Sequence, residues 1–323
     1  MDGIIAVFEG SLLFTWNVVR AIVESDADGR WIMVVGSLVA SGCAMVGCFL
    51  VLRKLSMLGD AISHAVLPGI VIAFLMTGSR NIVPMLLGAG ALGLLTAFLT
   101  DLLNRQGKLQ SDAAIGVTFT WLFALGVILI SKYAGAVDLD LDCVWNGEIL
   151  FAPLDTIRLA GFDVPRTACT TAFVCVVNIV FLGLGWKQLK LCAFDPAMAA
   201  SMGISVTLWH YLLMGFVSMT TVASFESVGA ILVVAMLIVP ANTAYMLTDR
   251  LWSMVLLAVG FGVASAIIGY GVASALDSSV AGAMATVSGA LFILAALFSP
   301  THGVVVDALR RRGHFGFDMQ QVD

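Results

Sequence analysis

The sequence predicts an all-α, polytopic membrane helix bundle of eight or nine spans, with one short helix standing outside the bilayer on the cytoplasmic side. Three observations predict it. The chain of 323 residues is 60% hydrophobic, has a mean hydropathy of +1.02 and carries only 11% charged residues, far below the roughly 25% of a soluble domain. Apolar runs long enough to cross a bilayer, about 20 residues each, recur near 32–52, 59–78, 82–103, 113–131, 167–186, 207–224, 228–247, 253–273 and 280–298. The basic residues gather in alternate connections. Arg53/Lys54, Arg105/Lys108, Lys187/Lys190, Arg250 and Arg310 to Arg312 fall on one side, which the positive-inside rule assigns to the cytoplasm.

Taken in order, the chain begins Met1-Asp2-Gly3, without the basic start and small-residue cleavage site of a signal peptide, and its first apolar run carries Glu9. Residues 4–20 therefore read as an interfacial helix. The organisation expected is an N-terminal segment over 1–30, a transmembrane domain over 31–303 and a cytoplasmic tail over 304–323. Small residues four apart, such as Gly36/Ala40, Ser37/Ser41, Ala89/Gly93 and Gly269/Ala273, let membrane helices approach closely. The block 207–247 is interrupted at Ser224-Phe225-Glu226-Ser227, which marks either a loop or a broken helix and leaves the span number at eight or nine. The cysteines form no C-x-x-C pair and mostly lie in apolar runs, as packing residues do.

Two connections exceed what a linker needs. After the fifth span, Asp195 is a good N-cap, Pro196 a good first helical residue and Gly203 a good stop. They define a short cytoplasmic helix suited to docking a partner. On the outer side, residues 132–166 contain Asp138, Asp140 and Asp142, whose alternation would place them on one side of an extended strand. They can be a solvated edge or a face that receives an extracytoplasmic partner.

Chemistry concentrates in Gly59-Asp60-Ala61-Ile62-Ser63-His64-Ala65-Val66-Leu67-Pro68-Gly69. Ionisable groups at membrane depth are costly and point to function. Asp60 and His64 are four apart and share one helix face. Pro68 is four beyond His64; it has no N–H, and its ring collides with the carbonyl four residues back. The segment can thus offer a carboxylate, an imidazole and a carbonyl oxygen to a divalent cation, although a buried pair pinning two helices is an equal reading of the residues alone. Glu226, near the interruption, is a further candidate at the outer mouth of a path. Asn242, just after Pro240, is placed to bond the carbonyl that the proline deprives of its donor, with pore lining as the alternative. His210, one turn into the sixth span, reads as a packing residue, and Asp112, following Ser111 at a helix start, as a cap and dipole residue. The chain lacks G-x-x-x-x-G-K-[ST] and H-E-x-x-H motifs, so an enzyme in its own right is not expected, and no basic patch suggests nucleic acid.

From about Val34 to Gly303 the chain resembles the permease subunits of ATP-binding-cassette importers for manganese, zinc and iron. The segment Val51 to Gly69 carries most of the resemblance. Support comes from Ser111-Asp112-Ala113-Ala114-Ile115-Gly116, the run from Asp138 to Gly147, Phe194-Asp195-Pro196, the run from Val228 to Ala241, and Phe298-Ser299-Pro300. The long segment before Trp31 and Asn242 after Pro240-Ala241 depart from the pattern. The resemblance implies a multi-pass protein of the bacterial plasma membrane. It also implies pairing with a second permease subunit, identical or paralogous, around a central path, with an ATP-binding subunit docked near Phe194, Asp195, Pro196, Met198 and Gly203. An extracytoplasmic metal-binding protein would deliver the ion, and Asp60 and His64 would meet it. No permanently bound cofactor is expected, only a transported ion. A carboxylate, an imidazole and a carbonyl oxygen suit manganese or ferrous iron, and would hold zinc more tightly by the usual affinity order. The alternatives are a permease for metal chelates, siderophore or corrinoid, and an ion-coupled secondary carrier.

Overall fold

The computed structural model describes residues 15–78, 82–134, 149–159 and 162–299. Helix α1 covers 15–23. It is followed by α2 (Ala27–Leu52), α3 (Ser56–Ala65), α4 (Leu67–Thr77), α5 (Ile82–Arg105) and α6 (Ser111–Leu129), which runs into a π-helical turn over Ile130–Ala134. A short antiparallel ribbon, β1 (Thr156–Leu159) with β2 (Phe162–Pro165), leads into α7 (Arg166–Phe194). The chain continues with the six-residue α8 (Pro196–Ser201), then α9 (Val206–Val228), α10 (Ala230–Leu247), α11 (Leu251–Leu276) and α12 (Val280–Phe298). With α3 and α4 counted together, nine helices among the described residues are long and apolar enough to cross a membrane. Their positions match the nine apolar runs of the sequence.

Interruption of the 207–247 block comes at Gly229 and not at Ser224 to Ser227, which remain helical. Gly229 has φ +78°, a conformation that costs glycine little and other residues much, so it separates α9 from α10 and places Glu226 in the last turn of α9. The start of α6 also differs from expectation. Gln110 occupies the N-cap with no side-chain hydrogen bond, and Ser111 and Asp112 are its first two helical residues. Asp112 therefore acts through the helix dipole, not as a cap. Asp138, Asp140, Asp142, His302, His314, the first residues of the N-terminal segment and the whole 304–323 tail lie outside the described residues.

Helix α2 is apolar around its circumference, as a helix enclosed by others must be, and it packs against α7, α9, α10 and α11. Val35, Ala40, Cys43, Ala44, Val46 and Phe49 are fully buried within it. The small-residue pairs work as crossings. Gly262 of α11 lies against Ala40 of α2, and Gly269 of α11 lies against the backbone of Met284 in α12. Ser218 of α9 donates to the Ala89 carbonyl of α5 at 3.0 Å. The tightest α2 crossing is at Gly47, where a Cβ would run into the carbonyl oxygen of Leu237 in α10. Gly47→Ala should therefore destabilise the fold by about 1–3 kcal/mol. Gly90→Ala, at a site with no atom near the new methyl, should be neutral. Thermal unfolding in detergent checks this: Gly47→Ala is expected to lower the midpoint by at least about 2 °C, and Gly90→Ala to leave it unchanged.

Candidate functional site

The chain breaks helical geometry where the sequence places its proline. Helix α3 ends at Ala65, Val66 turns with φ −75° and ψ −15°, and α4 starts at Leu67 with Pro68 in its first turn. The break is shaped by hydrogen bonds: Val66 N–H donates to Ile62 O at 3.1 Å, while Gly69 N–H and Ile70 N–H both reach Val66 O, at 2.9 and 3.1 Å. The Gly69 bond spans three residues, the tighter 3₁₀ pattern, and Pro68 has no N–H to give the His64 carbonyl. Three glycines let neighbouring helices close over this irregular backbone. Gly126 of α6 sits against the Pro68 ring, and Gly69 and Gly88 bring the α4 and α5 backbones together with no room for a side chain at either position.

Asp60 and His64 lie on one face of α3, with His64 Nε2 and Asp60 Oδ1 3.7 Å apart. The side chains remain 43% and 30% exposed, so they do not form the sealed internal pair that was the alternative reading. At 3.7 Å they are beyond hydrogen-bond range but within the ~4.2 Å sum of two first-row metal–ligand bonds, so one ion can bridge them. The imidazole is held laterally by Phe119 and Phe123 of α6, with ring centroids 6.2 and 6.1 Å away and the Phe123 contact edge-on. Leu237 of α10 presses on Gly59 and fixes the α3 backbone beside Asp60. Among the described residues no group of three or more His, Cys, Asp or Glu is close enough to enclose an ion.

The other candidates do not converge on this pair. Asn242 Nδ2 donates to Ile238 O at 2.9 Å, so it does not serve the Met236 carbonyl that Pro240 deprives of its donor. A side chain on α10 reaches the carbonyl one turn behind its own position, and for Asn242 that is Ile238. Cys43, Cys48, Cys175 and Cys192 are buried free thiols. His210, read as a packing residue, belongs to a polar cluster at the Arg53 end of the bundle. Arg53 Nη1 donates to His210 Nδ1 at 3.3 Å, Asp101 Oδ2 lies 4.0 Å from His210 Nε2, and Arg105 reaches Asp101 at 3.5 Å. Burial lowers the pKa of the Arg53 guanidinium from its ordinary value, but arginine remains a donor only. It therefore assigns the acceptor role to Nδ1 and the proton to Nε2. Arg53 and Arg105 were visible in sequence as loop charges; the meeting of Arg53 with His210 across 157 positions leaves no local signal.

Beyond α7, Asp195 accepts from Met198 N–H at 2.9 Å and caps α8, Pro196 fills the first helical position, and Gly203 terminates the turn at φ +79°. Phe194 and Met198 are 57% and 52% exposed, so this short helix presents apolar side chains outward.

The sequence model described as the ABC 3 transport family matches residues 29–299. The chain belongs to the ABC 3 transport family. It is thus a multi-pass membrane permease, as Val51 to Gly69 led one to expect. The manganese transport system membrane protein MntD of Bacillus subtilis is 52% identical over 281 residues, covering 87% of this chain and 95% of the relative. The zinc transport system membrane protein TroD of Treponema pallidum is 43% identical over 274 residues, covering 85% of this chain and 75% of that protein. The solved structure of PsaBC from Streptococcus pneumoniae in complex with Fab superposes with a TM-score of 0.74 at 29% identity, over 91% of this chain and 98% of that one.

Sequence reasoning singled out the Asp60–His64 spacing and anticipated the capped α8 of this permease, but gave no sign of Phe119, Phe123, Gly88 and Gly126, which surround the break. An aromatic pair four apart and two glycines on apolar helices are ordinary features of a membrane span, and only the fold singles them out. The Asp195 cap makes a local prediction. Asp195→Ala should cost α8 about 1 kcal/mol and speed hydrogen exchange at the Met198 amide by about fivefold, with exchange in α2 unchanged.

Proposed function

We propose that this permease carries divalent transition-metal ions, manganese, zinc or ferrous iron, inward across a bacterial plasma membrane, powered by ATP hydrolysis in a separate subunit. The observation that carries the reading is the Asp60–His64 pair, 3.7 Å apart on a half-open face beside a proline-broken helix. Relatives named for manganese and zinc transport favour bare ions over chelates. A chelate path would have no need of a carboxylate and an imidazole at this spacing.

On this reading the Arg53, Arg105, Lys187 and Arg250 end faces the cytoplasm, and the Asp277 end faces out. An extracytoplasmic metal-binding protein releases the ion at the outer mouth, for which Glu226 in the last turn of α9 and the acidic residues Asp138, Asp140 and Asp142 are candidate contacts. The ion meets Asp60 and His64 and leaves inward. Two side chains are an incomplete shell, which suits a path that must release its cargo, and a second permease subunit or water supplies the remaining ligands. The exposed Phe194 and Met198, with the Asp195-capped helix between Pro196 and Gly203, offer the ATPase its docking surface. Asn242, bonded within its own helix, contributes to path shape and not to ligation.

The test is metal accumulation in cells expressing the complete transporter. Asp60→Ala and His64→Ala should each lower manganese uptake at least about tenfold at unchanged membrane abundance. Uptake at the unsubstituted level in both variants would overturn the assignment.

A further inference from the structure

A groove of about 840 Å³ runs along the outside of the bundle, floored by Ser41 and Met45 of α2 and walled by α7 and α11. We propose that it binds one anionic phospholipid, phosphatidylglycerol being the chemistry that fits, drawn from the leaflet at the Lys187 end of the spans. The leaflet is the cytoplasmic one if the orientation proposed above holds; the site itself does not depend on that orientation.

Four observations converge. First, the walls suit an acyl chain. Cys175, Ile179, Leu182 and Trp186 follow one face of α7 at helical spacing, and Val255, Leu256 and Val259 face them from α11. Ser41 spends its hydroxyl on the Ser37 carbonyl at 2.7 Å, so the floor offers no donor to water. Gly183 leaves its stretch of wall open, with no atom near the place a Cβ would occupy. Second, the length suits one leaflet. From Cys175 to Lys187 the groove follows thirteen residues of α7, about 18 Å of helix against about 15 Å for half the hydrocarbon core.

Third, one end is built for the water interface. Trp186 and Trp252 meet edge to face with centroids 5.3 Å apart, and Phe49 of α2 lies beneath Trp186 at 6.1 Å. Tryptophan favours the headgroup level, and here the pair closes the groove where α7 leaves the apolar zone. Fourth, the polar groups at that end are a donor and an acceptor of the right kinds. Lys187 lines the groove as an exposed cation, and Gln188 sets an amide beside it at the same end. A phosphodiester answers the ammonium, and a headgroup hydroxyl can donate to the amide oxygen. Choline offers no such donor. Lys190 and Arg250 add positive charge at this end against Asp249, which favours an anionic lipid. Neither α7 nor α11 packs extensively on α3 or α6, so the groove is separate from the Asp60–His64 face.

The experiment uses the full chain in nanodiscs that contain brominated phosphatidylglycerol or brominated phosphatidylcholine at equal mole fraction, and reads tryptophan quenching. The contribution of the groove is taken as the difference from Trp252→Phe. Quenching of that component should favour phosphatidylglycerol by about fivefold, the worth of one interfacial lysine. The preference should vanish in Lys187→Glu, and Gly183→Leu, whose Cβ meets no protein atom and whose side chain projects into the groove, should remove quenching by both lipids. Equal quenching by the two lipids in the unsubstituted protein, or an undiminished preference in Lys187→Glu, would overturn the proposal. Native mass spectrometry of the unsubstituted protein needs no variant: retained phosphatidylglycerol supports the site, and retention of none overturns it. Manganese uptake is not part of either readout, so failure here leaves the transport reading untouched, and the reverse.

Discussion

A helix that breaks at membrane depth exposes polar backbone that lipid cannot satisfy, and the arrangement around Pro68 answers that constraint. The break is tolerable only because protein surrounds it. Gly126 admits α6 to the proline ring, the Gly69–Gly88 contact seals α4 against α5, and Leu237 of α10 closes on Gly59 immediately before Asp60. Each of these approaches requires a residue without a side chain; together they fix α5 and α6 against α4 and α10 against α3. What holds the break therefore also holds Asp60 and His64. Local backbone irregularity, which would be a defect in a lipid-facing helix, is here enclosed by the neighbouring helices α5, α6 and α10.

The same packing explains why the pair is half exposed. The face of α3 that carries Gly59 and Ile62 is buried against α10 and its neighbours, while Asp60 and His64 lie on the face that the single chain leaves partly open. With no third His, Cys, Asp or Glu close by among the described residues, the chain itself sets only these two side chains on that open face. The short α8 leads directly into α9, whose His210 is bonded to Arg53, the residue that ends α2 three positions before α3 begins. A displacement of α8 thus has a route of bonded groups to the segment carrying Asp60.

Much of this was legible in the chain because membrane burial and helical caps leave local signatures. The nine apolar runs, the Asp195-Pro196 start and Gly203 stop of α8, and the 60–64–68 spacing all depend on neighbours within a few residues. What could not be read depends on crossings between distant segments. Ser224 to Ser227 look like a loop by polarity, yet Gly229 makes the turn, because buried serines can satisfy themselves against their own helix, as Ser227 does with Ala223 O at 3.4 Å. Asn242 looks like the partner of the carbonyl freed by Pro240, but side-chain reach sends it to Ile238. The cluster of Arg53, Asp101, Arg105 and His210 joins three helix ends that no periodicity links.

The central claim is that Asp60 and His64 together touch the transported ion, and pulsed electron paramagnetic resonance of manganese bound to the assembled transporter tests it most directly. The account predicts nitrogen modulation from a coordinated imidazole that weakens or disappears in His64→Gln. Modulation of unchanged depth in that variant would contradict it.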